Sequence, residues 1–213
     1  MYLLPDRTSI IEKGKMMEPD PLIVNSFAKL VDYLRFKVRP QMREMAFKSM
    51  LRCEEYTQKG NVYYMKGAEY NKTEEHIASK LEKAGYLIVF PNKGQINQIK
   101  ELENDNTLQK NDVYLYDKKT YYQQKADLKA VSKGSVDAIK NHITKGSKQA
   151  PVIVIDIPAI ALRWNVIRGI KDGWTKDTKT ILLNWRGQWY EIDKDKVFSH
   201  KKIYRNWLED HIQ

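Results

Sequence analysis

An alternation of helix and strand patterns between residues 71 and 192 limits this 213-residue chain to a small set of folds. Apolar residues at helical spacing alternate with short apolar runs bounded by turn formers, of which Val152–Ile157 is the clearest. In chain order, the patterns are a helix, a strand, a strand pair, a helix, a strand, a helix and a final strand pair. This order predicts an α/β fold in which helices flank a mixed central β-sheet.

Capping and turn residues predict where these elements begin and end. Asn71–Glu74 has the form of a capping box, which opens a helix. Ser135 is expected to cap a helix that stops at Gly146, and a further helix is expected over residues 159–171. Arg186-Gly187 is expected to turn the chain between the last two strands, so that they form a hairpin.

The segments on either side of this alternation are interpreted separately. Within residues 1–66, Met and aliphatic side chains recur at helical spacing on both sides of Pro40, which predicts a helical N-terminal extension. Its Met-rich stripe indicates core or oligomer packing, so a homo-oligomer through these helices is one expectation. The predicted domains are the extension 1–66, an α/β domain 67–192, and a basic tail 193–213 that ends in a short helix.

Composition and charge narrow the environment and the partners. The chain has 37 Lys and Arg against 27 Asp and Glu, a net charge of +10, which favours a polyanionic partner. No apolar run approaches the roughly 20 residues that span a bilayer, and the first residues lack a signal-peptide pattern. The single Cys53 excludes an intramolecular disulfide, and the scattered His residues exclude Cys/His zinc spacing. We therefore expect a cytoplasmic protein without membrane insertion.

Three polar residues on two adjacent predicted strands form the candidate site. Asp112 enters the strand Val113–Tyr116, and Asp127 and Lys129 lie in the next strand, 121–129. Because side chains alternate along a strand, Asp127 and Lys129 face the same side of the sheet and can converge with Asp112. Two carboxylates and an ammonium group are typical of a metal-and-water site. The two-residue spacing alone is more typical of an ion pair on a sheet surface.

Four short motifs occur in order along the chain: Glu75-x-x-Ala78-x-x-Leu81-x-x-x-Gly85-Tyr86, Asn111-Asp112, Asp127-Leu128-Lys129 and Lys145-x-x-Lys148-Gln149-Ala150. In this order they resemble the motifs of the PD-(D/E)XK nuclease superfamily. The resemblance is closest to the nuclease domains at the C-termini of bacterial contact-dependent growth-inhibition toxins and of related phage head-associated proteins. It covers about residues 71–192 and implies a restriction-endonuclease-like fold.

The resemblance implies a role for each matched acid and for the lysine. Asp112 stands where the family has a metal-binding Asp, although Asn111 replaces the Pro that precedes it in the family. Asp127 matches the second acid, Lys129 matches the lysine, and Glu75 matches the helix acid that completes the metal site. The implied cofactor is Mg²⁺ or Mn²⁺, because hard carboxylate oxygens suit these ions. The lysine would orient or deprotonate the attacking water, or stabilise developing negative charge.

Basic residues surround the candidate site in the sequence. Eight Lys and three Asp lie between positions 117 and 148. Lys125, Lys140, Lys145 and Lys148 are expected to hold a nucleic acid backbone through charge, which gives affinity without sequence readout. Gln149 matches a family position that supports the site or contacts that backbone.

The implied activity is metal-dependent hydrolysis of phosphodiester bonds. The toxin resemblance favours RNA, in particular tRNA, and an immunity protein as partner, in bacteria as a phage-encoded protein or as part of a larger delivered toxin. The wider superfamily favours DNA as the substrate. Two interpretations without catalysis stay open: a nucleic-acid-binding module that kept the fold, and a structural or interaction protein of phage origin that assembles through residues 1–66.

Overall fold

The structure is a computed structural model that describes residues 40–92, 94, 111–194 and 204–212. The part of the predicted N-terminal extension before Pro40, and residues 195–203 and 213 of the tail, lie outside these residues. The helices are α1 (Pro40–Cys53), α2 (Lys72–Lys83), α3 (Val136–Gly146), α4 (Arg163–Gly173) and α5 (Tyr204–His211). The strands are β1 (Tyr56–Lys59), β2 (Val62–Met65), β3 (Tyr86–Phe90), β4 (Val113–Asp117), β5 (Gln123–Ala130), β6 (Val152–Ile157), β7 (Thr180–Trp185) and β8 (Gln188–Asp193).

The eight strands form one mixed sheet in the order β1-β2-β3-β4-β5-β6-β7-β8. Strand β1 pairs with β2 in antiparallel orientation, and β2 pairs with β3 in parallel. Strands β5, β6 and β7 are mutually parallel, and β8 returns antiparallel to β7. The prediction of an α/β fold with a mixed sheet flanked by helices is therefore confirmed. The predicted division into residues 1–66, 67–192 and 193–213 stays a prediction.

Contacts divide the chain into two compact units, of which the first contains the described residues 40–69, 85–92, 94 and 115–123. Aromatic side chains form its core. The ring of Phe47 on α1 lies with its centre 4.7 Å from that of Tyr116 and 5.5 Å from that of Tyr63. Tyr64 and Phe90, on neighbouring strands, stack at 5.1 Å. These contacts pack α1 against β2 and the end of β4.

The second unit contains the described residues 70–84, 111–114, 124–194 and 204–212. Its apolar core lies on the sheet face formed by the odd-numbered residues of β6 and β7, such as Ile153, Ile155 and Leu183. Helices α3 and α4 cover this face. They cross closely, as a Cβ added to Gly169 of α4 would lie only 2.6 Å from the Cβ of Ile139 of α3. Leu208 of α5 and Ile212 after it belong to the same core, so these two residues dock the end of the chain on this unit.

Local signals located two helix starts and one hairpin correctly. Asn71 Oδ1 accepts from the backbone N–H groups of Thr73 (2.9 Å) and Glu74 (3.0 Å), and Glu74 accepts from the Asn71 N–H (3.0 Å). This is the capping box that the sequence predicted. Ser135 caps α3, which ends at Gly146. Arg186 and Gly187 have φ of 54° and 78°, the two positive values that a type I′ hairpin turn requires.

The helix expected over residues 159–171 is wrong at its start, because α4 spans Arg163–Gly173. The backbone N–H of Ala161 donates to the carbonyl of Pro158 at 2.9 Å, so the chain first makes a turn. The N-cap Leu162 makes no side-chain cap hydrogen bond. The start of α4 therefore carries no capping signal in the sequence. Among the described residues, no helix combines the length and apolar character needed to cross a bilayer.

Candidate active site

The turn between β4 and β5 brings Asp112 to the middle of β5. The backbone N–H of Asp112 donates to the carbonyl of Ala126 at 3.1 Å, which places Asp112 beside that strand. Its Oδ2 accepts from the N–H of Leu128 at 2.9 Å, and the residue is 8% exposed. The Asp112 carboxylate is thus buried against the backbone of β5, between the positions of Asp127 and Lys129.

Asp127 and Lys129 share one face of β5 and form an ion pair. Lys129 Nζ lies 2.7 Å from Oδ1 of Asp127, to which it donates a hydrogen bond, and also 2.7 Å from Oδ2. Asp127 has no exposed surface, whereas the Lys129 side chain is 19% exposed. The structure therefore brings together Asp112, Asp127 and Lys129, as alternation along a strand predicts.

The two carboxyl groups interact unfavourably when both are ionised. Burial raises the pKa of Asp127 to about 7, and repulsion from Asp112 acts in the same direction. These two effects outweigh the opposing effect of Lys129, whose hydrogen bond and positive charge lower the pKa of Asp127. Near neutral pH, the pair therefore needs either a proton or an added positive charge.

This arrangement fits a divalent cation. Asp127 Oδ2 is buried and receives no hydrogen bond of good geometry from the described residues, even though Lys129 lies close to it. A hard cation between the two carboxylates would give this oxygen a second positively charged neighbour. Across the described part of the chain, no three His, Cys, Asp or Glu side chains form a group that could hold a metal ion. The two carboxylates that lie together here are those of Asp112 and Asp127.

Glu75, expected as a third acid, lies in the first turn of α2 and is half-buried. Helix α2 covers the sheet face opposite to Asp127. Asp127 pairs in register with Ile153 of β6, whereas α2 contacts Asp156, whose side chain points to the other face. This placement explains why Glu75 does not form a ligand group with the two aspartates.

Helix α3 forms the wall of the site beside Asp127. A Cβ added to Gly146 would lie 2.7 Å from Asp127 Oδ2, so the last turn of α3 approaches this carboxylate closely. The sequence predicts Gly146 only as the end of the helix; in the structure it is the last helical residue and is buried. The spacing of Ile139, Ile143 and Gly146 places Gly146 on the buried face of the helix, but it does not identify Asp127 as the contact.

His142 was also missed as part of the surroundings of the site. It is half-buried on α3, and its pKa lies below the usual range because of burial and the positive charges of Lys129 and Lys145. A neutral imidazole therefore lies within electrostatic reach of Lys129. An isolated His in a helical pattern carries no signal for this placement.

The residues expected to bind nucleic acid lie along β5 and α3. Lys125 is half-buried, two residues before Asp127, and so belongs to the same strand face. Lys140 and Lys145 are exposed on α3, and Lys148 is exposed in the turn that follows. Gln149 is half-buried, and its backbone N–H donates to the carbonyl of Gly146 at 2.8 Å.

Comparison of the chain with protein-family models, with curated proteins and with solved structures finds no match.

Proposed function

We propose that this chain is a metal-dependent nuclease of the PD-(D/E)XK type. The observation that carries the proposal is the buried pair of Asp112 and Asp127 with Lys129 bonded to it. The two carboxylates are buried away from water, and they repel each other when both are ionised. Binding of a cation between them would therefore be favourable. The resemblance of the four motifs is the second ground of the proposal; their residues lie on and after α2, before β4, on β5, and at the end of α3 and after it. A restriction-endonuclease-like fold is part of the proposal.

Each residue of the site has a separate task in phosphodiester hydrolysis. Asp112 and Asp127 would hold Mg²⁺ or Mn²⁺, which supplies Lewis-acid stabilisation of the phosphate and a water that ionises near neutral pH. The backbone N–H of Leu128 fixes Asp112 through Oδ2. Lys129 lies beside the carboxylates and can donate to a phosphate oxygen or to the attacking water. The exposed Lys145 and Lys148 provide charge for the nucleic acid backbone.

The biological context is part of the same proposal. RNA, and tRNA in particular, is the favoured substrate in a toxin-like role within the bacterial cytoplasm, and DNA is the alternative. An immunity protein would be the partner of such a toxin, and residues 1–66 would mediate a homo-oligomer.

The test is cleavage of total RNA and of plasmid DNA by the full chain, with Mg²⁺, with Mn²⁺ and with EDTA. Asp127→Asn removes one ligand at nearly constant volume. Asp137→Asn is the matched control, because Asp137 is exposed in the first turn of α3. We expect metal-dependent cleavage that Asp127→Asn abolishes and Asp137→Asn retains. Absence of cleavage of both substrates with either metal, or equal cleavage by the Asp127→Asn protein, would overturn the proposal.

A non-catalytic nucleic-acid-binding module is the second candidate. It is favoured by the ion pair between Lys129 and Asp127 and by the absence of a third ligand near the two aspartates among the described residues. This candidate predicts salt-dependent nucleic acid binding that persists in the Asp127→Asn protein, without cleavage by either protein.

A further inference from the structure

A cleft of about 720 Å³ lies at the carboxyl ends of the parallel strands β5, β6 and β7. Side chains from four adjacent strands line it in one row: Ala130, Asp156, Asn184 and Trp189, which are neighbours in register. Lys80 and Lys83 of α2 line it from above the sheet. Ligands of open α/β sheets bind at this end of the strands, and the size suits a small organic molecule.

One buried acceptor, on a side chain that lines the cleft, lacks a partner among the described residues. Lys80 Nζ donates to Asp156 Oδ2 at 2.7 Å, and Asn184 Nδ2 donates to Asp156 Oδ1 at 2.7 Å. The second bond fixes the orientation of the Asn184 amide, so that its Oδ1 is the remaining acceptor. Asn184 is 6% exposed, and Oδ1 receives no hydrogen bond from the described residues. A ligand with an N–H group would satisfy this oxygen.

The rim of the cleft is basic and has an aromatic side chain. Arg186 is held in place, because its Nε donates to the carbonyl of Ala159 at 3.3 Å and its guanidinium carbon lies 4.4 Å from the centre of the Trp185 ring. Neither Arg186 nor Lys83 is ion-paired with a carboxylate of the described residues. Trp189 is half-buried in the cleft wall. The rim therefore offers two cations for an anion and an indole on which a planar ring can stack.

We propose that this cleft binds a nucleotide, either free or as one unit of a nucleic acid strand. The base would donate an N–H to Asn184 Oδ1 and stack on Trp189, and its phosphate would lie against Lys83 and Arg186. The pairing of Lys80 with Asp156 neutralises the floor of the cleft, so the excess positive charge is at the rim. The proposal does not depend on the nuclease activity, because Asp127 lies on the opposite sheet face.

The experiment is isothermal titration calorimetry of the full chain carrying Asp127→Asn, which prevents cleavage during the measurement. The titrants are the four ribonucleoside monophosphates, inorganic phosphate and a pentanucleotide. Trp189→Ala tests the contact with the base. The double change Lys83→Ala with Arg186→Ala tests the contact with the phosphate. Trp189→Phe keeps a stacking ring, and Lys171→Ala is the matched control, because Lys171 is an exposed lysine in the last turn of α4.

We expect at least one monophosphate to bind, and Trp189→Ala to weaken its binding about tenfold, as loss of a stacked base does. The double change should weaken nucleotide binding at least as much. For Trp189→Phe and Lys171→Ala, the dissociation constant should stay within about twofold of that of the Asp127→Asn protein, a smaller change than the loss of a stacked base causes. Tighter binding of the pentanucleotide than of any monophosphate assigns the site to a strand, and the reverse assigns it to a free nucleotide. Binding of inorganic phosphate as tight as that of the nucleotides, or nucleotide binding unchanged by Trp189→Ala, would overturn the proposal. Cleavage by cleft variants with native Asp127 is measured separately, so failure here is distinct from failure of the nuclease proposal.

Discussion

Replacing Asp127 by Asn should stabilise the metal-free protein at high pH, although it removes a residue of the proposed active site. Asp127 has no exposed surface, and its pKa is raised from an ordinary value of 3.8 to about 7 by burial and by Asp112. A carboxyl group with a raised pKa in the folded state favours folding while it is protonated. Its contribution is complete below pH 4 and is lost as the pH rises through 7.

The magnitude follows from this difference in pKa. At about 1.4 kcal/mol per pH unit, the destabilisation at pH 8 has an upper limit of about 4 kcal/mol. Asn removes the charge but also the ion pair with Lys129, whose side chain is 19% exposed and can turn toward water. We therefore expect a net gain of roughly 1 to 3 kcal/mol at pH 8 and little or no gain at pH 5.

Urea unfolding in EDTA at pH 5, 6, 7 and 8 measures this difference between wild type and Asp127→Asn. Asp137→Asn is the control, and its difference from wild type should not depend on pH in this range. Adding Mn²⁺ at pH 8 should stabilise wild type by about 1.4 kcal/mol for each tenfold excess over the dissociation constant, and should not stabilise Asp127→Asn. A loss of stability on Asp127→Asn that is the same at pH 5 and pH 8 would refute the reasoning.

Three further predictions concern Gly146 of α3, two lysines at and after the end of α3, and α5. Gly146→Ala should reduce metal-dependent cleavage at least tenfold and lower stability despite the better helix propensity of Ala, because the new Cβ meets Asp127 Oδ2 at 2.7 Å; cleavage and urea assays check this. Lys145→Ala with Lys148→Ala should make the slope of log affinity for nucleic acid against log salt concentration shallower by about 2. Binding titrations at several salt concentrations measure this slope, with Lys171→Ala as the control. Leu208→Ala should destabilise the fold by about 2 to 5 kcal/mol, because this core residue has no exposed surface; urea unfolding would contradict the docking of α5 if the loss were below about 0.5 kcal/mol.

Capping residues in the sequence predicted where helices begin when the cap and the first turn of the helix are close together in the chain. The caps of α2 and α3 are side chains that bond to the first turn of the same helix, so a few residues suffice to locate them. The start of α4 depends instead on the turn that Ala161 closes with Pro158, and no capping residue marks it. The convergence of Asp127 with Lys129 followed from strand alternation alone.

Contacts between distant segments could not be predicted in this way. The approach of Gly146 to Asp127 depends on how α3 crosses the sheet, and nothing within the helix sequence determines that distance. The Lys80–Asp156–Asn184 network likewise depends on the parallel register of β6 and β7 and on the position of α2. The position of Glu75 likewise depends on which face of the sheet α2 covers. The helical periodicity of the sequence identifies the buried stripe of α2 but not the sheet face on which that stripe packs.

The two polar clusters of the sheet both pair an aspartate with a lysine, and a count of charges explains why we assign them different ligands. On one face, a single lysine, Lys129, is paired with Asp127, and the second carboxylate, Asp112, is buried beside them, so two carboxylates share one ammonium group. A divalent cation would compensate the second carboxylate, which is why we propose one there. On the other face, Lys80 meets one carboxylate, and the unsatisfied group is a neutral amide oxygen. That oxygen needs an N–H donor without added charge, which a nucleobase provides and a metal ion does not.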